Sequence, residues 1–464
     1  MSGAPESCDA RRYTQATLTQ LLDIDQPYKC TDQLDDQIRE LLKKGVDKDK
    51  LQRIQGCLVG LAVGDALGAS VEFRPNAYLK ENEVKDMLSG GTWGLEKGQW
   101  TDDTSMALCL AVSLIIKAES NTYDQFERYK RWFRKGYLSS TGKCFDIGKS
   151  TREAIIAFED CQKKIQDELR RKNKNLNGDE LDKLTEQKMR EDRGKLTFST
   201  DNSAGNGALM RLAPIPCFFV DSYEEVKKCI VEATEMTHAD KRAVQACQFY
   251  AGLIWHALNG TKKDELLSQN FYQQTLKLSG LDSEIQEIVK GSYKTKNDYE
   301  GGIRGKGYVV QALEAALWAF YRDNDDFNRG VLLAVNLGDD TDTTAAIYGQ
   351  LAGACYKIDS IRKDWRDALY EARFITNIAT GLYVKRHNSQ RSEWPERNPN
   401  PDNRHSKPET EGRQQHRNLG PNASPSSAEP EHKQRKPNPN QPDQTAGSAS
   451  SDQQQKGTFI IPET

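Results

Sequence analysis

Apolar residues recur every three or four positions along most of residues 51–385. This spacing is typical of helices that bury one face, whereas a half-buried strand alternates at every second position. Convincing alternation of that kind is missing from the sequence, so the pattern predicts an all-α protein. Helices are predicted over residues 105–117, 123–135, 149–172, 223–236, 241–258, 308–321, 326–337, 345–356 and 359–383.

The first long apolar run carries glycines at four-residue intervals. They are Gly56, Gly60, Gly64 and Gly68. Residues four apart lie on one side of a helix, and each glycine inside a helix costs about 1 kcal/mol relative to alanine. Such a stripe indicates that another backbone approaches closely. Gly349 and Gly353 repeat the spacing in a second predicted helix. We therefore expect both helices to pack tightly against a neighbour, with each other as one candidate pair.

Two short acidic stretches lie immediately before predicted helices. The first contains Thr101, Asp102, Asp103 and Thr104, and the second contains Asp339, Asp340, Thr341, Asp342, Thr343 and Thr344. One aspartate is enough to cap a helix N-terminus, and capping alone is the alternative interpretation for either stretch. The excess of oxygen donors favours a site for Mg²⁺, Mn²⁺ or Ca²⁺ over one for Zn²⁺, which prefers nitrogen and sulfur. Close packing of the two glycine-bearing helices would draw the stretches together.

Composition and charge narrow the functional classes. A net charge of −3 offers no basic footprint for nucleic acid or for an anionic membrane surface. The sequence has no charge-free apolar run long enough to span a membrane, and its first residues lack the apolar segment of a secretory signal. We therefore expect neither membrane insertion nor secretion. The ten cysteines form no CxxC pair, which favours free thiols in a reducing compartment. A cytoplasmic location is predicted, with access to the nucleus left open.

Changes in composition predict three regions and one insertion. Residues 1–50 are polar apart from an amphipathic piece at 34–44, and are interpreted as an arm or an added helix. Residues 51–386 form the helical domain. Within it, residues 159–195 are a charged insertion, expected to be a solvated helical excursion with a turn near 175–178. Residues 387–464 are rich in Pro, Asn, Gln and Ser and are predicted to be a disordered tail.

Six sequence blocks occur in the order GCLVGLAVGDALGASVEF, WTDDTSMAL, SAGNGALMRLAPIP, THAD, GYVVQALEAALWAF and AVNLGDDTDTTAAIYGQLAGA. Together they resemble the ADP-ribosylglycohydrolases, a family that includes ADP-ribosylarginine hydrolases and the glycohydrolase that reactivates dinitrogenase reductase. The resemblance implies a compact all-α single domain with a cleft for two metal ions, normally Mg²⁺, with Mn²⁺ as a substitute. The implied metal ligands are Thr101, Asp102, Asp103, Asp340, Asp342 and Thr343. Asp339 stands where many members have glycine, and could add charge to the site or point to solvent.

The same resemblance implies residues that contact the substrate. Glu72 matches a glutamate near the metals, although a surface carboxylate after a helix end is the alternative. His238 matches a histidine that lines the pocket, and a helix cap or a core histidine is the alternative. Phe198 could stack on adenine or belong to the core. The substrate loop would contain Ser203, Gly205, Asn206 and Gly207, whose backbone N–H groups could bind a phosphate or a ribose.

The implied reaction is hydrolysis of the glycosidic bond between ADP-ribose and a modified protein side chain, with release of ADP-ribose. It passes through an oxocarbenium-like state, and two divalent ions could hold the ribose and a water. One of Glu72, Asp102 or Asp340 would then transfer the proton. Arginine is the favoured linkage, with serine and an acyl ester left open. The expected partner is an ADP-ribosylated protein or a small ADP-ribosyl compound, and a monomer is expected.

Two other functions fit parts of the pattern. The family implied by the resemblance also includes lens crystallins, so a non-catalytic member could be structural or could only bind ADP-ribose. Loss of a ligand carboxylate would favour that alternative, whereas all six implied ligand positions hold oxygen donors here. The other function is a Ca²⁺-stabilised structural domain, but the ligands do not follow the twelve-residue EF-hand pattern. The sequence therefore favours the enzyme.

Overall fold

The computed structural model describes residues 18–392, except 26, 44, 194–195, 201 and 277–278. Within these ranges the chain forms helices and no β-strand, which confirms the predicted all-α fold. The helices are α1 Leu18–Leu22, α2 Thr31–Leu42, α3 Lys48–Gly68, α4 Asn76–Glu81, α5 Asp102–Lys117, α6 Thr122–Lys135, α7 Lys149–Lys172, α8 Gly178–Arg193, α9 Pro214–Phe218, α10 Tyr223–Glu235, α11 Lys241–Leu258, α12 Lys263–Leu266, α13 Gln269–Phe271, α14 Ser283–Lys290, α15 Ser292–Thr295, α16 Val309–Arg322, α17 Phe327–Val335, α18 Thr341–Tyr356, α19 Lys363–Ala368 and α20 Ala372–Ser392.

The glycine-bearing helices α3 and α18 pack directly against each other. A Cβ atom added at Gly60 would overlap the carbonyl oxygen of Gly349, and one added at Gly353 would overlap the carbonyl oxygen of Gly56. At Gly64 the added atom would overlap the backbone of α18 one turn further along. The two backbones are therefore in contact along the stripe, and the expected tight pairing of these helices is confirmed.

The length and apolar character of α3 follow from its position in the core. The stretch Lys48–Val71 is long and apolar enough to cross a membrane, yet 89% of its most apolar window is buried inside the folded domain. Its neighbours include α18, α20 and α5. Contacts with these helices on all sides account for an apolar composition that is not confined to one face.

The helices that follow the acidic stretches begin earlier than predicted. Helix α5 starts at Asp102 and α18 at Thr341, so Asp102, Asp103 and Asp342 lie in the first helical turns, whereas Asp340 is the N-cap residue of α18. The predicted starts, at residues 105 and 345, were wrong because the apolar pattern becomes visible only after the first turn. The helical backbone fixes the positions of Asp102, Asp103 and Asp342, which limits the movement of their side chains.

The amphipathic piece near the N-terminus forms a helix of the domain. Leu22, Leu34 and Ile38 are buried in the common core, and Arg373 of α20 lies in ion pairs with Asp32 and Asp35 of α2. Of the two interpretations, an arm or an added helix, the structure has a helix over Thr31–Leu42. Residues 1–17 lie outside the described part of the chain.

The charged insertion is a helical hairpin made by the second half of α7 and by α8. Its turn at residues 173–177 agrees with the prediction. The hairpin is solvated on its outer face only, because Thr185 and Met189 are fully buried. The hydroxyl of Tyr123 on α6 donates to the carboxylate of Asp182 at 2.8 Å. The expectation of a freely solvated excursion was therefore wrong for the inner face, where apolar residues spaced along α8 pack onto the domain.

Deleting residues 160–194 is expected to lower the melting temperature by more than about 2 °C, because it uncovers the buried side chains of Tyr123 and Phe158. Differential scanning calorimetry of the deletion variant measures this. The control replaces the exposed tip, residues 171–177, by a short Gly-Ser turn and should leave the melting temperature unchanged. An unchanged melting temperature in the full deletion would show that the hairpin adds nothing to the core.

The predicted helix 359–383 is broken into two. Helix α19 ends at Ala368, and α20 begins at Ala372. Glu371 between them has a φ of 51°, a left-handed conformation that a continuing helix does not allow. Helix α20 then continues to Ser392, beyond the predicted end of the domain. The tail from residue 393 lies outside the described residues.

Candidate active site

The two acidic stretches meet at the N-terminal ends of α5 and α18. The hydroxyl of Thr101 donates to Asp342 at 3.1 Å, and the hydroxyl of Thr343 donates to Asp103 at 3.1 Å. Each stretch thus contributes one threonine to a carboxylate of the other. The expectation that tight packing of α3 and α18 draws the stretches to one place is confirmed.

An aspartate in the middle of the glycine-bearing helix α3 anchors the first stretch. Asp65 accepts hydrogen bonds from the backbone N–H of Thr101 at 2.8 Å, and from the backbone N–H and hydroxyl of Thr104 at 2.9 and 2.6 Å. It therefore binds the free N–H groups at the start of α5, where no side chain of the helix's own N-cap does so. Burial raises the pKa of Asp65 to about 6, against the lowering effect of these hydrogen bonds.

Two carboxylate oxygens in this cluster have no hydrogen-bond partner among the described residues. They are Oδ1 of Asp103 and Oδ1 of Asp342, and both are buried. Burial, and then repulsion from neighbouring carboxylates, raises the pKa of each of these aspartates well above its ordinary value. Buried anionic oxygens without a donor are costly, and a divalent cation would satisfy them and relieve the repulsion. The donor set is all oxygen, as Mg²⁺ and Mn²⁺ require, so the residues fit the expected metal.

A second group of carboxylates lies on the cleft side of the cluster. Oxygen atoms of Glu72, Asp146 and Asp342 lie within 4.8 Å of one another. The indole N–H of Trp93 donates to Glu72 at 2.7 Å. Burial, and then the charge of Asp340, raises the pKa of Glu72 to about 8. These carboxylates extend the cluster from the helix ends to the wall of the cleft.

The cleft beside this cluster has a volume of about 260 Å³ and contains most of the predicted site. Predicted residues that line it are Glu72, Asp102, Gly205, Asn206, Gly207, His238, Asp340 and Thr343. The side-chain amide of Asn206 donates to Asp340 at 2.8 Å, which ties the glycine-rich loop to the second acidic stretch. The backbone N–H of Asn206 donates to the carbonyl oxygen of Gly307 at 3.0 Å.

His238 forms the floor beneath the glycine-rich loop. Its Nδ1 lies 2.8 Å from the hydroxyl of Thr237, and a Cβ atom at Gly207 would lie 3.0 Å from its ring. Burial, and then the charge of Arg211, lowers the pKa of His238 to about 3, so the ring is neutral. The loop needs glycine at this position because the imidazole leaves too little room for a side chain.

Another part of the cleft lining is the N-terminus of α7. Gly148, Lys149, Ser150 and Thr151 line the cleft there, and no side chain caps this end of the helix. Free N–H groups at a helix start, together with a lysine, attract anions. The cleft therefore has a strongly acidic wall and a wall suited to a phosphate.

Comparison with known proteins shows which family the chain belongs to. The sequence pattern of the ADP-ribosylglycohydrolase family matches residues 47–392. The chain is 35% identical over 337 residues to ADP-ribosylarginine hydrolase Tri1 of Serratia proteamaculans (strain 568), an alignment that covers 73% of this chain and 80% of that protein. It is 26% identical over 321 residues to ADP-ribosyl-dinitrogen reductase glycohydrolase of Rhodospirillum rubrum, covering 68% of this chain and 90% of that protein. A solved structure described as an ADP-ribosylglycohydrolase-related protein complex has a TM-score of 0.58 and 34% identity, covering 73% of this chain and 100% of that chain.

The chain belongs to the ADP-ribosylglycohydrolase family. The resemblance inferred from the six sequence blocks is confirmed, and so is the interpretation of the chain as an enzyme, an ADP-ribosylglycohydrolase. The match extends from Asp47, just before α3, to the end of α20. Helices α1 and α2 therefore lie outside the family's common region, although they pack onto it.

Three predicted or suspected residues of this glycohydrolase lie outside both the carboxylate cluster and the cleft lining. Phe198 packs edge-on against Phe126 and Phe158, with ring centroids 5.3 and 5.8 Å away. Its stacking on adenine stays a prediction. Ser203 is buried, with its hydroxyl 3.2 Å from that of Thr200. The carboxylate of Asp339 accepts from Tyr299 at 3.3 Å. Asp339 also has a φ of 64°, which explains why a glycine suits this position.

Three residues of the glycohydrolase site were not found from the sequence. Asp65 had a visible signal, because a lone aspartate inside an otherwise apolar helix needs a partner. The sequence gives no such signal for Asp146 or Trp93, because both lie in irregular segments without a recognisable motif. Asp146 has a φ of 58°, which turns the backbone at the cleft wall. Tertiary packing alone brings these two residues to Glu72.

Proposed function

We propose that this glycohydrolase uses a divalent cation to hydrolyse the glycosidic bond between ADP-ribose and an arginine side chain of a modified protein. The observation that supports the metal is the pair of buried, unpartnered oxygens on Asp103 and Asp342. The two oxygens belong to different acidic stretches, so both stretches lack a positive partner at the same place. Capping of α5 and α18 would not leave these oxygens without donors.

The residues that would hold the ions are Thr101, Asp102, Asp103, Asp340, Asp342 and Thr343. When bound, Mg²⁺ or Mn²⁺ would orient the ribose hydroxyls and make a water molecule more acidic. The hydrogen bonds of Thr101 and Thr343 to the carboxylates hold this ligand set in place. Asp65 fixes the start of α5 through its hydrogen bonds from Thr101 and Thr104.

Glu72 is the carboxyl group to which we assign proton transfer. Of the three candidates, Asp102 and Asp340 belong to the proposed ligand set, and a carboxylate bound to a cation is a poor base. Glu72 lies outside that set and lines the cleft. Burial, and then the charge of Asp340, raises its pKa to about 8 in the metal-free site, a direction that suits a general acid or base.

The two walls of the cleft suit the two ends of the proposed substrate. The N-terminus of α7 and the ammonium group of Lys149 suit the pyrophosphate of ADP-ribose. The carboxylates of Glu72 and Asp146 suit a cationic guanidinium on the leaving side. The arginine linkage is supported further by the 35% identity to an enzyme named ADP-ribosylarginine hydrolase.

A product assay tests the proposal. Purified protein is incubated with arginine-linked and serine-linked ADP-ribosyl proteins, with Mg²⁺ or with EDTA, and free ADP-ribose is measured. We expect release from the arginine linkage that depends on Mg²⁺ and returns when the ion is restored. Equal activity in EDTA would refute the proposed requirement for a metal ion. Release from the serine linkage alone would keep the chemistry and overturn the arginine assignment.

A further inference from the structure

The segment that precedes the first acidic stretch contains a tight turn at residues 90–95, which we name the Trp93 turn. Gly90 and Leu95 exchange backbone hydrogen bonds of 2.7 and 2.9 Å, which close the turn. Gly91 has a φ of 75°, and a Cβ atom there would lie 2.6 Å from the carbonyl oxygen of Ala69. The turn is therefore pressed against the short 3-10 segment Ala69–Val71 that leads to Glu72.

Two consecutive residues of the Trp93 turn bind Glu72. The hydroxyl of Thr92 donates to the carbonyl oxygen of Glu72 at 3.1 Å. The indole N–H of Trp93 donates to the carboxylate of the same residue at 2.7 Å. One bond fixes the backbone and the other fixes the side chain, so the carboxylate has little freedom to rotate. The indole N–H of Trp93 can only donate a hydrogen bond, so the oxygen of Glu72 that it contacts must be an acceptor.

The ring of Trp93 also contacts the segment that carries Asp146. It packs on Phe145 with ring centroids 5.6 Å apart, and 39% of its surface is exposed. Phe145 immediately precedes Asp146, whose carboxylate lies in the group with Glu72 and Asp342. A tryptophan held only for packing would not need its N–H aimed at a buried carboxylate. Trp93 thus joins the two segments that carry Glu72 and Asp146.

We infer that Trp93 is a positioning residue, which acts through Glu72 by fixing its carboxylate for proton transfer. This inference rests on the catalytic role proposed above for Glu72. Loss of the indole N–H leaves Glu72 in the cleft but free to adopt other rotamers. The chemical step should then slow, while binding of the substrate, which also uses Asp146 and the N-terminus of α7, should change less.

The experiment is a double-mutant cycle on the full chain with an arginine-linked ADP-ribosyl protein. Trp93→Phe keeps an aromatic ring against Phe145 and removes the N–H. We expect kcat to fall about tenfold or more, as for the loss of a hydrogen bond to a charged group, with KM changed less than twofold. The matched control is Trp255→Phe, which removes an indole N–H bonded to the carbonyl oxygen of Phe219 at 3.2 Å, away from the cleft. It should keep wild-type kcat.

The second arm introduces Trp93→Phe into the Glu72→Gln variant. If Trp93 acts through Glu72, the second substitution should add less than about a twofold loss, since coupled residues are not additive. Single-turnover assays with excess enzyme keep slow variants measurable. Wild-type kcat in Trp93→Phe, or a full additional tenfold loss in the double variant, would overturn the inference. If Glu72→Gln itself keeps full activity, the proposed role of Glu72 fails first. If Glu72→Gln is too slow to measure, the comparison of Trp93→Phe with Trp255→Phe decides.

Discussion

Replacing Gly64 by leucine is expected to lower the free energy of unfolding by about 3 kcal/mol or more, the upper range for overpacked cores. A Cβ atom at this position would already overlap the carbonyl oxygen and backbone of Ala345 on α18. Backbone atoms in the middle of two buried helices cannot rotate away, so the helices must separate. For a large domain this corresponds to a fall of roughly 6 °C or more in the melting temperature. Thermal and urea unfolding of the variant measure it.

The matched control is Gly178→Leu at the start of α8, where an added Cβ atom meets nothing within 4 Å. It should keep wild-type stability, which separates crowding from the cost of leucine itself. Wild-type stability in Gly64→Leu would mean that the two helices can move apart freely. The tight pairing would then no longer explain why the acidic stretches meet.

Gly68 connects this packing to the site. A Cβ atom there would overlap the backbone of Asp342, one of the proposed ligands. The last glycine of the stripe therefore lies against the backbone of a proposed metal ligand. The stripe stabilises the fold along most of its length and sets the position of the second acidic stretch at its end.

The sequence predicts those features of the molecule that depend on local pattern. Four glycines at four-residue intervals indicated a backbone contact, and two oxygen-rich helix starts indicated a shared site. Both signals can be recognised within the local sequence of each helix. Asp146 and Trp93 could not be predicted in the same way, because each lies in a loop whose path is set by packing. Helix boundaries were missed where a polar first turn, as at Asp102, hid the start of the apolar pattern.

The charged insertion shows a different limit. Its composition predicted helices and a turn correctly, but not the burial of Met189. A helix that is mostly charged can still bury a few residues on one face. The overall composition of the segment does not reveal that face. The partner of that face, Tyr123 on α6, could be recognised only after both helices were placed.

The last prediction concerns the metal site itself. Asp102→Asn and Asp342→Asn should each lower turnover by about a thousandfold or more, equivalent to roughly 4 kcal/mol of transition-state stabilisation. The reason is charge: each substitution removes one anionic ligand from a cluster where Asp103 and Asp342 have buried oxygens without donors. Asp339→Asn is the matched control, because its carboxylate accepts from Tyr299. Steady-state assays with saturating Mg²⁺ measure turnover.

The same variants test whether the two stretches form one site. Metal binding to the folded protein raises its stability, by about 2.7 kcal/mol when the ion is at a hundred times its dissociation constant. The wild type should therefore melt at a higher temperature with Mg²⁺ or Mn²⁺ than with EDTA, and both Asn variants should lose much of that gain. Titration calorimetry should show weaker binding in both. If Asp342→Asn binds metal as the wild type does while Asp102→Asn does not, the stretches are separate sites. The hydrogen bonds from Thr101 to Asp342 and from Thr343 to Asp103 would then be structural contacts between two helix caps.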